Sequence, residues 1–163
     1  MKLSVRTRGL ALVAASAALL AVPFAAPASA LTSSVSCKTE GSSLKGGKAI
    51  STFAGCTKVI GGTGLSPKTP PAGTKKGQLS LVITWNKGKG KTTVAFGFAT
   101  QTKPLKCKGG SSRVLVSGKV LSATGAAKAI TKAGEPVTAT SCVYASGPKV
   151  GQSYVYPGTT FKL

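Results

Sequence analysis

Leu79-Ser80-Leu81-Val82-Ile83-Thr84-Trp85 and Thr92-Thr93-Val94-Ala95-Phe96-Gly97-Phe98 are two alternating runs, separated by Asn86-Lys87-Gly88-Lys89-Gly90-Lys91. On an extended chain Leu79, Leu81, Ile83 and Trp85 fall on one side, and so do Thr92, Val94, Phe96 and Phe98. A period of two with one apolar side predicts a strand that buries one face, and the polar Gly-rich break between the runs predicts a hairpin. Trp85 is in phase with the apolar set and is expected in the core. Outward from this hairpin the same alternation recurs more faintly. Val114, Val116 and Val120 mark a strand with Gly118 in phase as a bulge, and Val137, Ala139 and Val143 mark another that runs through Cys142. Weaker strands are expected over 34–39, 48–56, 152–156 and 159–163. The stretch 61–76, with Gly61-Gly62-Thr63-Gly64 and then Pro67, Pro70 and Pro71, reads as a long surface loop, and 126–133 as one short helical turn. Seven or eight short strands rich in Thr, Ser, Val and Gly predict a single all-β domain over 31–163. The expected architecture is an Ig-like or Greek-key β-sandwich with two disulfides, with a closed β-barrel as the alternative.

The boundary at residue 31 comes from the leader. Lys2, Arg6 and Arg8 precede an apolar run from Leu10 to Leu20, and Ala28-Ser29-Ala30 has the small-x-small form of a cleavage site. Residues 1–30 are therefore expected to be a signal peptide cleaved after Ala30, giving a secreted, extracellular protein. The run is too short to serve as a spanning helix, and the mature chain carries no transmembrane pattern. Of 163 residues, 133 remain after removal of the leader, with 19 basic side chains against Glu40 and Glu135, a charge of +17.

Cys37, Cys56, Cys107 and Cys142 all lie in the mature part, an even set in a small exported chain, which predicts disulfides. Four cysteines allow three pairings. The expected one is Cys37–Cys56 with Cys107–Cys142, because the first bond then closes a short loop between neighbouring strands. A zinc site would need His or a C-x-x-C pair, and the chain has neither.

The absent residues narrow the chemistry further. With no His and no Asp, Ser-His-Asp and Cys-His arrangements are excluded. Glu40 begins the Gly41-Ser42-Ser43 turn and Glu135 precedes Pro136, so both read as solvated loop carboxylates and not as the facing pair that a paired-carboxylate site needs. No cofactor, metal or catalytic residue is expected, and the chain is not expected to be an enzyme. Its pronounced feature is positive charge, almost all of it Lys. Lys75, Lys76, Lys87, Lys89, Lys91, Lys103, Lys106 and Lys108 are candidates for polyanion contact, the last six spread over the two ends of the hairpin and Lys75 and Lys76 on a loop elsewhere, rather than in one patch. Diffuse Lys with a single mature Arg, Arg113, suits non-specific contact with anionic envelope polymers or lipids, and not sequence-specific reading of nucleic acid. The same lysines also serve solubility and block edge-to-edge pairing. Tyr144, Tyr154 and Tyr156 are candidates for a stacking face.

The leader, together with Val35-Ser36-Cys37, Phe53-Ala54-Gly55-Cys56, Gly62-Thr63-Gly64, Ile83-Thr84-Trp85-Asn86 and Thr140-Ser141-Cys142, resembles small secreted Gly/Thr-rich β-proteins of actinobacteria that have no assigned activity. The resemblance implies a secreted β-fold and transfers no functional residue. The resulting expectation is an exported, non-enzymatic interaction protein at or near the cell envelope. The alternatives are a membrane-active, toxin-like protein, which needs an apolar surface beside the lysines, and a small-ligand carrier, which needs a sizeable apolar cleft between sheets.

Overall fold

The computed structural model describes residues 33–45, 48–101 and 107–163. The leader and Lys103 and Lys106 lie outside the described residues. The elements are β1 (Ser36–Lys45), β2 (Lys48–Cys56), β3 (Gly61–Leu65), β4 (Leu79–Trp85), β5 (Lys91–Thr100), β6 (Ser111–Thr124), the 3-10 helix η1 (Gly125–Ala129), β7 (Pro136–Tyr144), β8 (Ser153–Val155) and β9 (Phe161–Lys162). Each strand from β1 to β7 pairs antiparallel with its successor in the chain, and β8 pairs back onto β1. This closes an eight-stranded up-and-down barrel. The extra strand β9 bridges β1 and β7 beside the short β8.

The sandwich expected from the strand count is thus corrected to the barrel. Alternation alone does not distinguish them, because both architectures bury one face of every strand. The decision lies in β1, which pairs with β2 along one edge and with β8 and β9 along the other, so neither edge is left open. The wiring is a meander of neighbours, not a Greek key.

Two segments differ from the local reading for steric reasons. Gly61-Gly62-Thr63-Gly64 is strand β3, not part of a loop. Its inward glycines make room for the large side chains of β4: a Cβ at Gly62 would lie 2.7 Å from Trp85 Cε3 and 2.9 Å from the Thr84 carbonyl oxygen. Gly62→Ala should therefore cost about 1–3 kcal/mol through overpacking. Gly97→Ala, with nothing within 4 Å of its Cβ, should stay within about 0.5 kcal/mol; paired urea titrations measure both. Gly118 is likewise a place of close approach, facing the Ala95 carbonyl and Phe96. The bulge in this sheet lies elsewhere, between the pairs Thr93–Ser122 and Val94–Val120.

The barrel is filled at one end only. β4 runs toward the Asn86–Gly90 turn, and at that end Trp85, Ile83, Val94, Val120 and Val137 are buried. Trp85 Nε1 donates to Thr92 Oγ1 at 2.8 Å, and Thr92 Oγ1 lies 2.8 Å from Thr131 Oγ1. The Thr131 hydroxyl donates to the Ala127 carbonyl at 3.4 Å. That order leaves Thr92 as donor to Thr131, so every member of the buried relay is satisfied. The relay ties η1 and the following turn across the barrel as a cap. Val35 and Leu163 exchange backbone hydrogen bonds at the same end, at 2.6 and 2.9 Å, and both are buried.

The disulfides are Cys37–Cys56 and Cys107–Cys142, as the sequence reading expects. The first joins residues directly paired between β1 and β2. The second ties the β5–β6 connection to the outer face of β7 near the other end of the barrel. Disulfides of this kind are consistent with an extracellular or otherwise oxidising compartment. Among the described residues no helix is long and apolar enough to cross a membrane.

Candidate functional site

The end opposite the cap is open, and it contains a cavity of about 270 Å³. Eight strands leave an interior just wide enough either to fill with side chains or to hold one small ligand. Here the capped half is filled and the open half is not. A larger hollow of about 570 Å³ lies outside the barrel, between β6, β7 and residues 158–160. It is a shallow groove with no buried ionisable group, so the internal cavity is the better candidate site.

The two sides of the cavity differ in chemistry. β4 and β5 contribute Leu81 and Phe96, with Leu79 (55% exposed) and Phe98 (50% exposed) at the rim. The rings of Phe96 and Phe98 meet edge to face at 5.5 Å. Across the barrel, β1 and β8 contribute Glu40, Ser42 and Ser153, flanked by Ser51 from β2 and Ser141 from β7. Phe53, paired directly with Glu40, contacts both Trp85 and Phe161 and forms the floor between cavity and core. In strand order β4 and β5 stand opposite β8 and β1, so an apolar wall faces a wall of hydroxyls and one carboxyl.

Glu40 is 7% exposed, which corrects its reading as a solvated loop residue. Gly41-Ser42-Ser43 is not a turn but the middle of β1, and Gly41 pairs with Thr52 on one side and Tyr154 on the other. The inward face of β1 also changes phase: Val35 and Cys37 are buried, Lys38 and Thr39 are both exposed, and Glu40 is buried again. That change turns Glu40 into the barrel. Burial pushes its carboxyl from 4.5 up to about 7, against a smaller lowering by the Ser153 hydroxyl. Ser153 Oγ lies 3.4 Å from Glu40 Oε1 and 2.9 Å from Ser42 Oγ, so its single proton serves one of them at a time. Ser42 in turn donates to the Gly151 carbonyl at 3.0 Å. Ser141 is 2% exposed, and its hydroxyl has no hydrogen-bond partner among the described residues.

Glu135, the other carboxylate, is also buried rather than solvated, at the capped end. Its Oε1 accepts from Ser34 Oγ at 2.5 Å. The two carboxyls thus belong to opposite ends of the barrel, and no pair of acids forms. Among the described residues no three His, Cys, Asp or Glu side chains gather into a metal-binding group.

The lysines single out no patch. Lys87, Lys89 and Lys91 lie at the capped end, whereas Lys75, Lys76 and Lys108 lie on loops or loop ends around the open end, all exposed. The tyrosines lie on the outer wall. Tyr144 and Tyr154 are neighbours at 6.4 Å, but cations cover the rings: Lys149 over Tyr144 at 5.5 Å, Lys108 over Tyr154 at 5.6 Å and Arg113 over Tyr156 at 4.7 Å. Tyr154 Oη also accepts the Lys108 backbone N–H at 2.5 Å. These rings belong to exterior packing and do not reach the cavity.

Sequence reasoning missed Glu40, Ser42, Ser51, Ser141 and Ser153 as a group. One signal was available: Ser141 shares its phase with Val137, Ala139 and Val143, and a hydroxyl on the buried phase of a strand needs a partner or a ligand. Compared with known proteins, the chain matches no family model, no curated protein and no solved structure.

Proposed function

We propose that this protein is a non-enzymatic carrier that binds one small amphipathic molecule in the open end of its barrel. The observation that carries this reading is the half-filled interior, with an apolar wall facing a polar one. A cavity of about 270 Å³ falls just below the usual size of ligand sites, which typically run from about 300 to 1,000 Å³. It suits a compact molecule that lies with its apolar body on Leu81 and Phe96 and its polar group toward Glu40. Binding is favoured over catalysis because Glu40, the acceptor for the Ser153 hydroxyl, is the single ionisable group among the described residues of the cavity, with no cation there to stabilise a developing negative charge. The exposed lysines support a second, weaker contact with anionic envelope polymers or lipids, an attraction that salt screens.

The test is ligand-observed and protein-observed NMR on the oxidised chain with a set of small amphipathic compounds. Binders should shift resonances of Phe96, Leu81 and Val143, and Val143→Trp, which places an indole at the rim, should weaken them at least tenfold. Binders that shift only outer-wall residues, or that ignore the plugged mouth, would remove the carrier reading.

A further inference from the structure

Resting on that reading, we infer that the ligand is an organic amine, whose ammonium group sits between the Glu40 carboxylate and the Ser141 hydroxyl while its apolar body lies against β4 and β5. Three observations lead there. The first is an unbalanced charge. The chain has 22 Lys and Arg, yet among the described residues none forms an ion pair with Glu40, whose one hydrogen-bond partner is the Ser153 hydroxyl. A buried carboxylate without a cation is costly, and a ligand that brings the cation removes the cost.

The second is the unpartnered Ser141 hydroxyl. Gly41 and Cys142 both pair with Tyr154, from the two sides of β8. Glu40 and Ser141 therefore come one rung along from that row, two strands apart, with about 10 Å between their backbones. Both side chains line the cavity, with Val155 of β8 on the rung between them. An ammonium has three N–H donors and no acceptor, and a carboxylate with a hydroxyl oxygen provides the acceptors it needs. The third is the opposite wall. Leu81, Phe96 and Phe98 offer surface for an apolar or aromatic body and no hydrogen-bonding group.

The positive field of the whole chain opposes an approaching cation. Exposed charges are screened beyond about 8 Å at physiological salt, whereas a desolvated carboxylate in contact is screened much less. The local pairing therefore decides the bound state, and the field slows entry. An anionic ligand would meet Glu40 as a like charge in the same small space.

Binding an ammonium requires ionised Glu40, which adds a pH signature. Among the described residues the groups facing Glu40 do not titrate: β2 turns Ser51 and Phe53 toward the cavity, β8 turns Ser153, and β7 turns Ser141. Affinity for an amine that stays protonated should thus be steady above pH 7 and fall about tenfold per unit below it, close to 100-fold at pH 5.

The experiment titrates phenethylamine, its neutral isostere propylbenzene, and phenylacetamide into the wild type and into Glu40→Gln, at pH 8 and pH 5, following the cavity resonances. Phenethylamine should bind at least tenfold tighter than propylbenzene at pH 8. That preference should vanish in Glu40→Gln and collapse at pH 5, and Ser141→Ala should reduce it. If propylbenzene binds as well as phenethylamine, or Glu40→Gln keeps the preference, the amine assignment fails while the cavity reading stands. Tightest binding by phenylacetamide, strengthening toward pH 5, would make Glu40 a protonated donor and overturn the assignment in the same way. If none of the three shifts a cavity resonance at millimolar concentration, both readings fall.

Discussion

Glu40→Gln should make the protein more stable at pH 8 by about 3 kcal/mol and leave it nearly unchanged at pH 4. In the native state the Glu40 carboxyl is raised from 4.5 to about 7, mainly because burial penalises its charge. A raised carboxyl means that the folded chain holds the proton more tightly than the unfolded chain does. Wild-type stability is therefore greatest, as far as this group decides it, below pH 4.5, and it declines as pH rises through about 7. The shift of two to three pH units corresponds to about 3 kcal/mol at 1.36 kcal/mol per unit. Gln keeps the shape of the side chain and can still accept from Ser153, but it cannot ionise, so the pH slope should disappear with it. The background is quiet, because the chain has no His and Glu135 is its only other side-chain carboxyl. Urea unfolding of both proteins from pH 4 to pH 8 tests this. Parallel curves for wild type and variant would show that Glu40 is hydrated in solution and does not bear the cost that its burial implies. A stabilising change at a cavity-lining position is also the signature of a group retained for binding rather than for folding.

The hairpin of β4 and β5 was legible because its alternation is local and its turn is polar and Gly-rich. The disulfide pairing followed from the same local logic, since Cys37 and Cys56 flank one hairpin. Closure was not legible. It depends on β8 and β9 meeting β1 more than a hundred residues away in sequence, and the alternation of Ser36 to Lys45 contains nothing that counts its partners. β3 was missed because glycine carries no hydrophobic pattern. Its place in the barrel is visible only when Trp85 and Leu81 are seen to occupy the space that its side chains would fill. The cavity was hidden by the usual expectation for Glu and Ser, which are mostly solvated. Glu40 is buried by a change of phase in β1 that no pattern announces, since it occurs across two ordinary exposed residues, Lys38 and Thr39. Trp85 was placed correctly by phase, but Thr131, which continues its hydrogen-bond relay through Thr92, lies 46 residues on, beyond any local rule.

Trp85→Ala should destabilise the barrel by about 3–5 kcal/mol, the largest loss expected for any single side chain here. Trp85 is 1% exposed and is the largest fully buried side chain. Its removal opens a void between Gly62 and Phe53, which a β-strand held on both edges cannot collapse to fill. The loss also has a polar part: without the indole N–H, Thr92 Oγ1 keeps its bond to Thr131 but loses its donor in a fully buried position. Trp85→Phe separates the two parts. It restores most of the ring volume but not the donor, and should cost about 1–3 kcal/mol. Thermal or urea unfolding, with disulfides intact, measures both. A cost below about 1 kcal/mol for Trp85→Ala would mean that the capped half of the barrel is loosely packed. The division into a rigid capped end and an open end would then fail, and with it the reason for placing the ligand where Glu40 is. If the large cost is found, the open half can hold a cavity and an uncompensated carboxyl because the capped half supplies the packing that the open half forgoes.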